Sequence, residues 1–193
     1  MSVIVAVKEN GAVYMGADSQ TTAGRRKYSY LNETSFKVTR LNNGILIGFC
    51  GGVSAKQTIM AIDGLFTLNA QGELTKEHIV KEIVPKLVDK MEQIGDEASG
   101  ALKVSILLAH KDKLYRITAN LDVISLNEYG RSGAGADYVN YALTERKDLS
   151  VRERILKALV ESARRTESVS GPYVLIDTNN LEYEIVDMGG DNY

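Results

Sequence analysis

Ser2 carries the clearest chemistry in this sequence by its type and position. It is followed at once by the apolar run Val3 to Val7, which reads as a strand and would hold residue 2 at a fixed place on the rim of a rigid sheet. If Met1 is removed, a free α-amine and a hydroxyl share one residue. An α-amine has a reference pKa of about 7.7 to 8.0. That is close enough to neutrality for it to take the hydroxyl proton, directly or through one water, and to return it to a leaving group. Nucleophile and base then come in one residue. The plainer alternative is that serine follows many initiator methionines for processing reasons alone, so Ser2 by itself does not make an enzyme.

Other signals are weaker. Gly130, Gly133 and Gly135 precede a helical pattern as a phosphate loop would, but no Gly-Lys-Ser/Thr follows and the strands before them read as antiparallel, so a tight turn is expected. His78 and His110 stand apart, without metal-ligand spacing, and no metal site is expected from them. Arg25, Arg26 and Lys27 beside Tyr28 and Tyr30 form one basic cluster in a chain of 23 basic and 25 acidic residues. With a net charge of -2 there is no excess of cations to neutralise phosphates, so neither nucleic acid nor an anionic membrane is an expected partner. Cys50 is the single cysteine, which excludes an internal disulfide and fits a reduced, cytoplasmic setting. No apolar run approaches the roughly 20 residues that cross a bilayer.

The elements that would position Ser2 follow from periodicity and turn chemistry. Val3 to Lys8 and Ala12 to Ala17 alternate about Asn10-Gly11, the dipeptide that supplies the positive φ angles of a tight hairpin. Ser19 to Ser35 has no sustained period and reads as a long surface excursion. A second hairpin, Phe36 to Leu41 and Ile45 to Cys50, turns at Asn42, Asn43 and Gly44. Helical spacing then predicts a helix from Val53 to Leu68, and a second one capped by Thr75 and disturbed by Pro85. Strands are predicted at Val104 to His110, Leu114 to Thr118 and Val123 to Leu126, then a turn at Gly130 to Gly135 and a helix containing Tyr138 and Tyr141. Ser150 and Glu153 make a capping box for a further helix. Strands Tyr173 to Ile176 and Leu181 to Val186 close the chain.

Strand runs of four, three and two, separated by two helix pairs, do not alternate as a parallel fold would. They favour antiparallel sheets packed face to face with helices outside, an α+β arrangement. With 193 residues and no linker or low-complexity tract, one domain over residues 1–193 is expected.

The stretch from Ser2 through Asp18 and Thr22 to Gly24 resembles the opening of proteasome β subunits and of the bacterial peptidase HslV. Lys37-Val-Thr-Arg-Leu, Gly48-Phe-Cys-Gly-Gly52, Arg131-Ser132-Gly133 and Glu167-Ser-Val-Ser170-Gly171 follow in family-like order. The resemblance implies the four-layer αββα sandwich of the N-terminal-nucleophile hydrolases. It also implies Ser2 as nucleophile, Asp18 and Lys37 beside it, and Gly48 as the oxyanion-hole residue. Ser132, Glu167 and Ser170 would hydrogen-bond around the mature N-terminus. Thr22 would pair with the backbone of an extended peptide, and Leu46 and Cys50 would line the pocket for the side chain before the scissile bond. Cys50 has the competing reading of an inert core thiol. A buried ammonium at Lys37 would lower the cost of ionising the hydroxyl, and Asp18 would orient it.

Two departures from the family pattern are visible. Serine stands where threonine is usual and lacks the branched carbon that restricts χ1, and Glu167 is one methylene longer than the usual aspartate. The same resemblance implies a polypeptide substrate, stacked homo-oligomeric rings and an ATP-dependent unfoldase. No cofactor is required, and Glu167 to Ser170 is a candidate structural cation site. A catalytically silent ring or scaffold subunit and a small-amide acylase are the rival readings.

Overall fold

A computed structural model of the chain describes residues 2–23, 26–29, 31–96 and 101–188; Met1, Gly24, Arg25 and Tyr30, named above, lie outside them. Strands β1 (Val3–Glu9) and β2 (Ala12–Asp18) form the expected hairpin, with Asn10 at φ 51° and Gly11 at φ 77°. Both central residues in the left-handed region is what lets a two-residue loop match the twist of its strands. The segment expected as a long surface excursion holds a small hairpin, β3 (Gln20–Ala23) against the exposed β4 (Arg26–Ser29). Its one fully buried residue among those described is the polar Gln20, so no apolar side announces a period.

Strands β5 (Val38–Arg40) and β6 (Leu46–Gly51) make the second hairpin. Helix α1 (Val53–Met60) stops short of the expected Leu68, and Gly64 further on takes φ 58°, a backbone conformation no helix continues through. Next come α2 (Lys76–His78), a π-helical stretch Ile79–Ile83 and α3 (Val84–Val88). Thr75 caps this run by accepting a hydrogen bond from the His78 N–H. Pro85 has no N–H and its ring would meet the carbonyl four residues back, and the widened turn before it accommodates both defects.

Helix α4 (Met91–Ile94) and the short pair β7 (Gly95–Asp96) and β8 (Ala101–Leu102) precede the three predicted strands. These are β9 (Val104–His110), β10 (Lys113–Ile117) and β11 (Val123–Ser125). The expected turn at Gly130 to Gly135 is corrected to a strand, β12 (Tyr129–Gly133), which pairs antiparallel with β1 from Val3↔Gly133 to Val7↔Tyr129. Its glycines hid a strand because strand propensity disfavours them.

A single 3₁₀ turn, Ala136–Tyr138, leads to α5 (Asn140–Thr144) and α6 (Val151–Arg165). The predicted capping box opens α6: the Ser150 hydroxyl accepts from the Glu153 N–H, and the Glu153 carboxylate accepts from the Ser150 N–H. Strands β13 (Tyr173–Asp177) and β14 (Glu184–Val186) complete the fold.

Two five-stranded sheets result, ordered β12-β1-β2-β13-β14 and β11-β10-β9-β6-β5. Ile4, Ala6, Met15 and Ala17 of the first meet Val38, Leu46, Leu107 and Ala109 of the second in a buried cluster between them. The other face of the first sheet packs on α5 and α6 through Val3, Val5, Ile155 and Leu159. The other face of the second packs on α1 and the helices after Thr75 through Ile47, Ile106, Ile59 and Ile83. The layers are therefore αββα. Among the described residues no helix is long and apolar enough to cross a membrane.

Candidate active site

The β1–β2 hairpin register places Ile4 opposite Ala17, which brings the start of β1 against the end of β2. There the Val3 N–H donates to Asp18 Oδ1 at 2.9 Å. Ser2, the next residue out, is 6 % exposed and lines a cleft. Lys37 enters from the second sheet, one residue before β5, and its Nζ donates to Asp18 Oδ2 at 2.7 Å and to the Gln20 carbonyl at 2.6 Å. The carboxylate side chain is wholly buried and the lysine side chain nearly so. One carboxylate thus ties the backbone beside Ser2 to a cation carried by the other sheet. Burial pushes the Asp18 carboxyl above its ordinary value, while Lys37 and the N–H groups of Val3 and Gln20 pull it back down.

The cleft has a volume of about 590 Å3, and Lys37, Thr22, Phe49, Gly51 and Lys56 are among the residues that line it with Ser2. Thr22, exposed on β3, reaches it, and its hydroxyl accepts from Gln20 Nε2 at 3.2 Å. The same Gln20 amide donates to the Glu167 carbonyl at 3.1 Å and so tethers the late loop to β3.

Three of the expected site residues are placed elsewhere. Gly48, Leu46 and Cys50 alternate with Phe49 and Gly51 along β6, and successive side chains of a strand point to opposite faces. Leu46 and Cys50 belong to the cluster between the sheets, away from the cleft. At Gly48 a Cβ would meet Ile4 Cγ2 at 3.0 Å, so that position also faces the inter-sheet interior. Phe49 and Gly51 take the cleft positions instead. The strand is apolar on both faces because each is covered, and an unbroken apolar run hides which parity faces which side. The competing reading of Cys50 fits its surroundings: burial, opposed by a hydrogen bond with Ser132, pushes the thiol up to about 12.

Ser132 is buried on β12 opposite Ile4. The next residue, Gly133, has φ 102°, and a Cβ there would lie 2.1 Å from the Ser2 carbonyl oxygen. Only glycine lets β12 pack this closely on the start of β1. Glu167 is exposed and takes part through its carbonyl, while the neighbouring Ser168 hydroxyl is buried without a hydrogen-bond partner among the described residues. Ser170 is half-buried. Among the described residues no group of three or more His, Cys, Asp or Glu side chains is placed to hold a metal, at Glu167 to Ser170 or elsewhere.

Lys56 was not anticipated. It lies on α1 between the buried Ala55 and Ile59, and its Nζ donates to the Phe36 carbonyl at 2.5 Å and the Thr34 carbonyl at 3.4 Å. Its sequence signal is a lysine on the edge of an otherwise apolar helix stripe, which usually means a stem laid along the core with its head in water. Burial and the nearby Lys37 charge lower it from 10.5 to about 8.

The arrangement of two stacked sheets between helical layers has counterparts among solved structures. BPH of Thiobacillus denitrificans in complex with epoxomicin superposes with a TM-score of 0.72 at 17 % identity, over 91 % of this chain and 97 % of that one. The chain has the proteasome-like N-terminal-nucleophile hydrolase fold. HslV from Trypanosoma brucei shares it at a TM-score of 0.65 and 18 % identity, covering 91 % and 98 % of the two chains. Anbu, the ancestral beta-subunit, from Yersinia bercovieri matches at 0.72 and 13 % identity, covering 96 % and 87 %. No protein-family model matches the sequence. The four-layer αββα expectation and the resemblance to this fold group therefore both hold.

Proposed function

We propose that the chain is a single-domain endopeptidase subunit whose nucleophile is Ser2 after removal of Met1. The observation that carries this reading is the Asp18 bridge, which joins the Val3 N–H to the Lys37 ammonium at the mouth of the cleft that Ser2 lines. In this reading the Ser2 hydroxyl oxygen attacks the carbonyl carbon of a peptide bond, and its proton passes to the α-amine. The tetrahedral intermediate collapses, the C–N bond breaks, and the amine returns the proton to the leaving nitrogen. Water then attacks the ester on Ser2, giving a proton to the same amine, and release of the acid restores the hydroxyl. Lys37 steadies the alkoxide, and Asp18 holds the lysine while adding no net charge to the pair. The oxyanion donor in this scheme is a backbone N–H of the Gly51 turn, since Gly51 and not Gly48 borders the cleft.

The exposed Thr22 on β3 offers a strand edge to an extended chain, which favours a polypeptide over a small amide as substrate. Stacked homo-oligomeric rings, an ATP-dependent unfoldase and a cytoplasmic setting complete the reading, as the sequence resemblance to HslV and proteasome β subunits implies.

The test uses intact mass and epoxomicin, the compound bound in the BPH structure. Native material should lack Met1 and gain one epoxomicin mass, and Ser2→Ala should gain none and hydrolyse no peptide. Retained Met1 with no adduct would instead support a silent ring subunit. Adduct formation with turnover of acylated small amides but not peptides would support the acylase.

A further inference from the structure

The two lysines that line the cleft are in opposite electrostatic states. The charge of Lys37 is matched by Asp18 at 2.7 Å, whereas Lys56 has no carboxylate acting on it among the described residues and feels Lys37 as its charged neighbour. An ammonium has three N–H donors. At Lys56 two of them go to the carbonyls of Phe36 and Thr34, and the ring of Phe49 lies 5.9 Å from Nζ. One donor and one unit of charge remain for whatever enters the cleft.

A partly buried cation held by carbonyls and without a counter-ion is costly, since desolvation penalises its charged form and neutral dipoles only partly replace water. An incoming carboxylate would remove that penalty and take the third donor in a charge-assisted hydrogen bond. An incoming amide of the same shape could accept the hydrogen bond but would leave the charge unmatched. A basic side chain would add repulsion.

We propose that Lys56 makes this cleft selective for polypeptide segments that carry an acidic side chain, Glu or Asp, at the position lying against Phe49 and Lys56. The proposal rests on the reading of the cleft as a peptide site but does not require Ser2 to turn substrate over. Phe49 and Val53 supply apolar wall for the methylene groups of such a side chain, and Lys56 supplies the charge.

The experiment is titration calorimetry of the full-length protein with acetylated, amidated tetrapeptides that differ at one position as Glu, Gln, Leu or Lys, the position being moved along the peptide. At one position the Glu peptide should bind roughly tenfold more tightly than the Gln peptide, the size of one charged hydrogen bond. In Lys56→Gln that ratio should fall to about one, and Lys56→Arg should keep most of it. Equal affinity for Glu and Gln peptides in the unaltered protein, binding of neither, or a ratio unmoved in Lys56→Gln would each overturn the proposal. Because the Glu/Gln ratio is read on the unaltered protein, a variant that fails to fold does not remove the test. Loss of the peptidase reading shows separately, as absence of Ser2-dependent turnover with the binding ratio intact.

Discussion

The cleft has two walls built on different terms. On the sheet-rim wall, Asp18 is fully buried, Lys37 nearly so, and every strong charge has a partner within 2.9 Å. On the helix wall, Lys56 is held by two carbonyls and a ring face with its charge unmatched. A matched pair fixes geometry, because each partner restrains the other and neither gains from a ligand. An unmatched cation does the reverse: it gains most when something complementary arrives. The rim suits the reacting atoms, and the helix wall suits the choice of what is brought to them.

The largest expected effect breaks the rim. Lys37→Met leaves Asp18 buried beside the Val3 N–H without its cation, which should cost about 3–5 kcal/mol of stability near neutral pH. Urea unfolding measures it, and the double variant Asp18→Asn with Lys37→Met should recover a large part of the loss. A loss below about 1 kcal/mol would mean that the two walls do not differ as described.

A smaller effect separates the two glycines of β6. At Gly51, with φ 143°, a Cβ would lie 2.2 Å from the Lys103 carbonyl, so Gly51→Ala must move backbone as well as adopt a strained conformation. At Gly48 the nearest atoms are the ends of the Ile4 side chain at 3.0 and 3.3 Å, which can shift. Gly51→Ala should therefore lose more stability in urea than Gly48→Ala and should also weaken peptide binding in the cleft. The opposite order would put the interior face where the cleft face is described.

The smallest effect sharpens the helix wall by pH. Lys56 is held at about 8 instead of 10.5, so its ammonium is charged below that value and loses its proton as pH rises through it. Lys37 is the titratable group acting on it, with Phe49, Thr34 and Phe36 contributing only a ring face and carbonyls. The Glu-over-Gln preference should be full near pH 6.5 and largely gone by about pH 9.5. A preference constant across that range would assign it to another group. The same shift has a sign for stability: between about 8 and 10.5 the unfolded chain binds the extra proton, so raising pH through that window relieves a cost and stabilises the fold.

Much of this was legible in the sequence. Asn10-Gly11 fixed a hairpin because few dipeptides accept two positive φ angles, and that hairpin's register is what sets Val3 against Asp18. Ser150 and Glu153 announced α6 by the same kind of local chemistry. The misses have separate causes. β12 was hidden because its Gly133 serves a contact with Ser2 from far along the chain, and β3 and β4 because a hairpin whose buried residue is the polar Gln20 has no apolar period.

Local sequence determined where the chain turns, where its long helix starts, and which hydroxyl stands at the head of the first strand, because those depend on the φ angles and hydrogen bonds of adjacent residues. Tertiary structure alone decided which parity of β6 faces the cleft. Leu46, Phe49 and Cys50 are all apolar enough for either side, and only the first sheet and α1, packed on opposite faces of β6, tell them apart. It also decided that Lys56 would stand beside Lys37 without a carboxylate, since a charge is matched or unmatched only by what distant segments bring within a few ångströms of it.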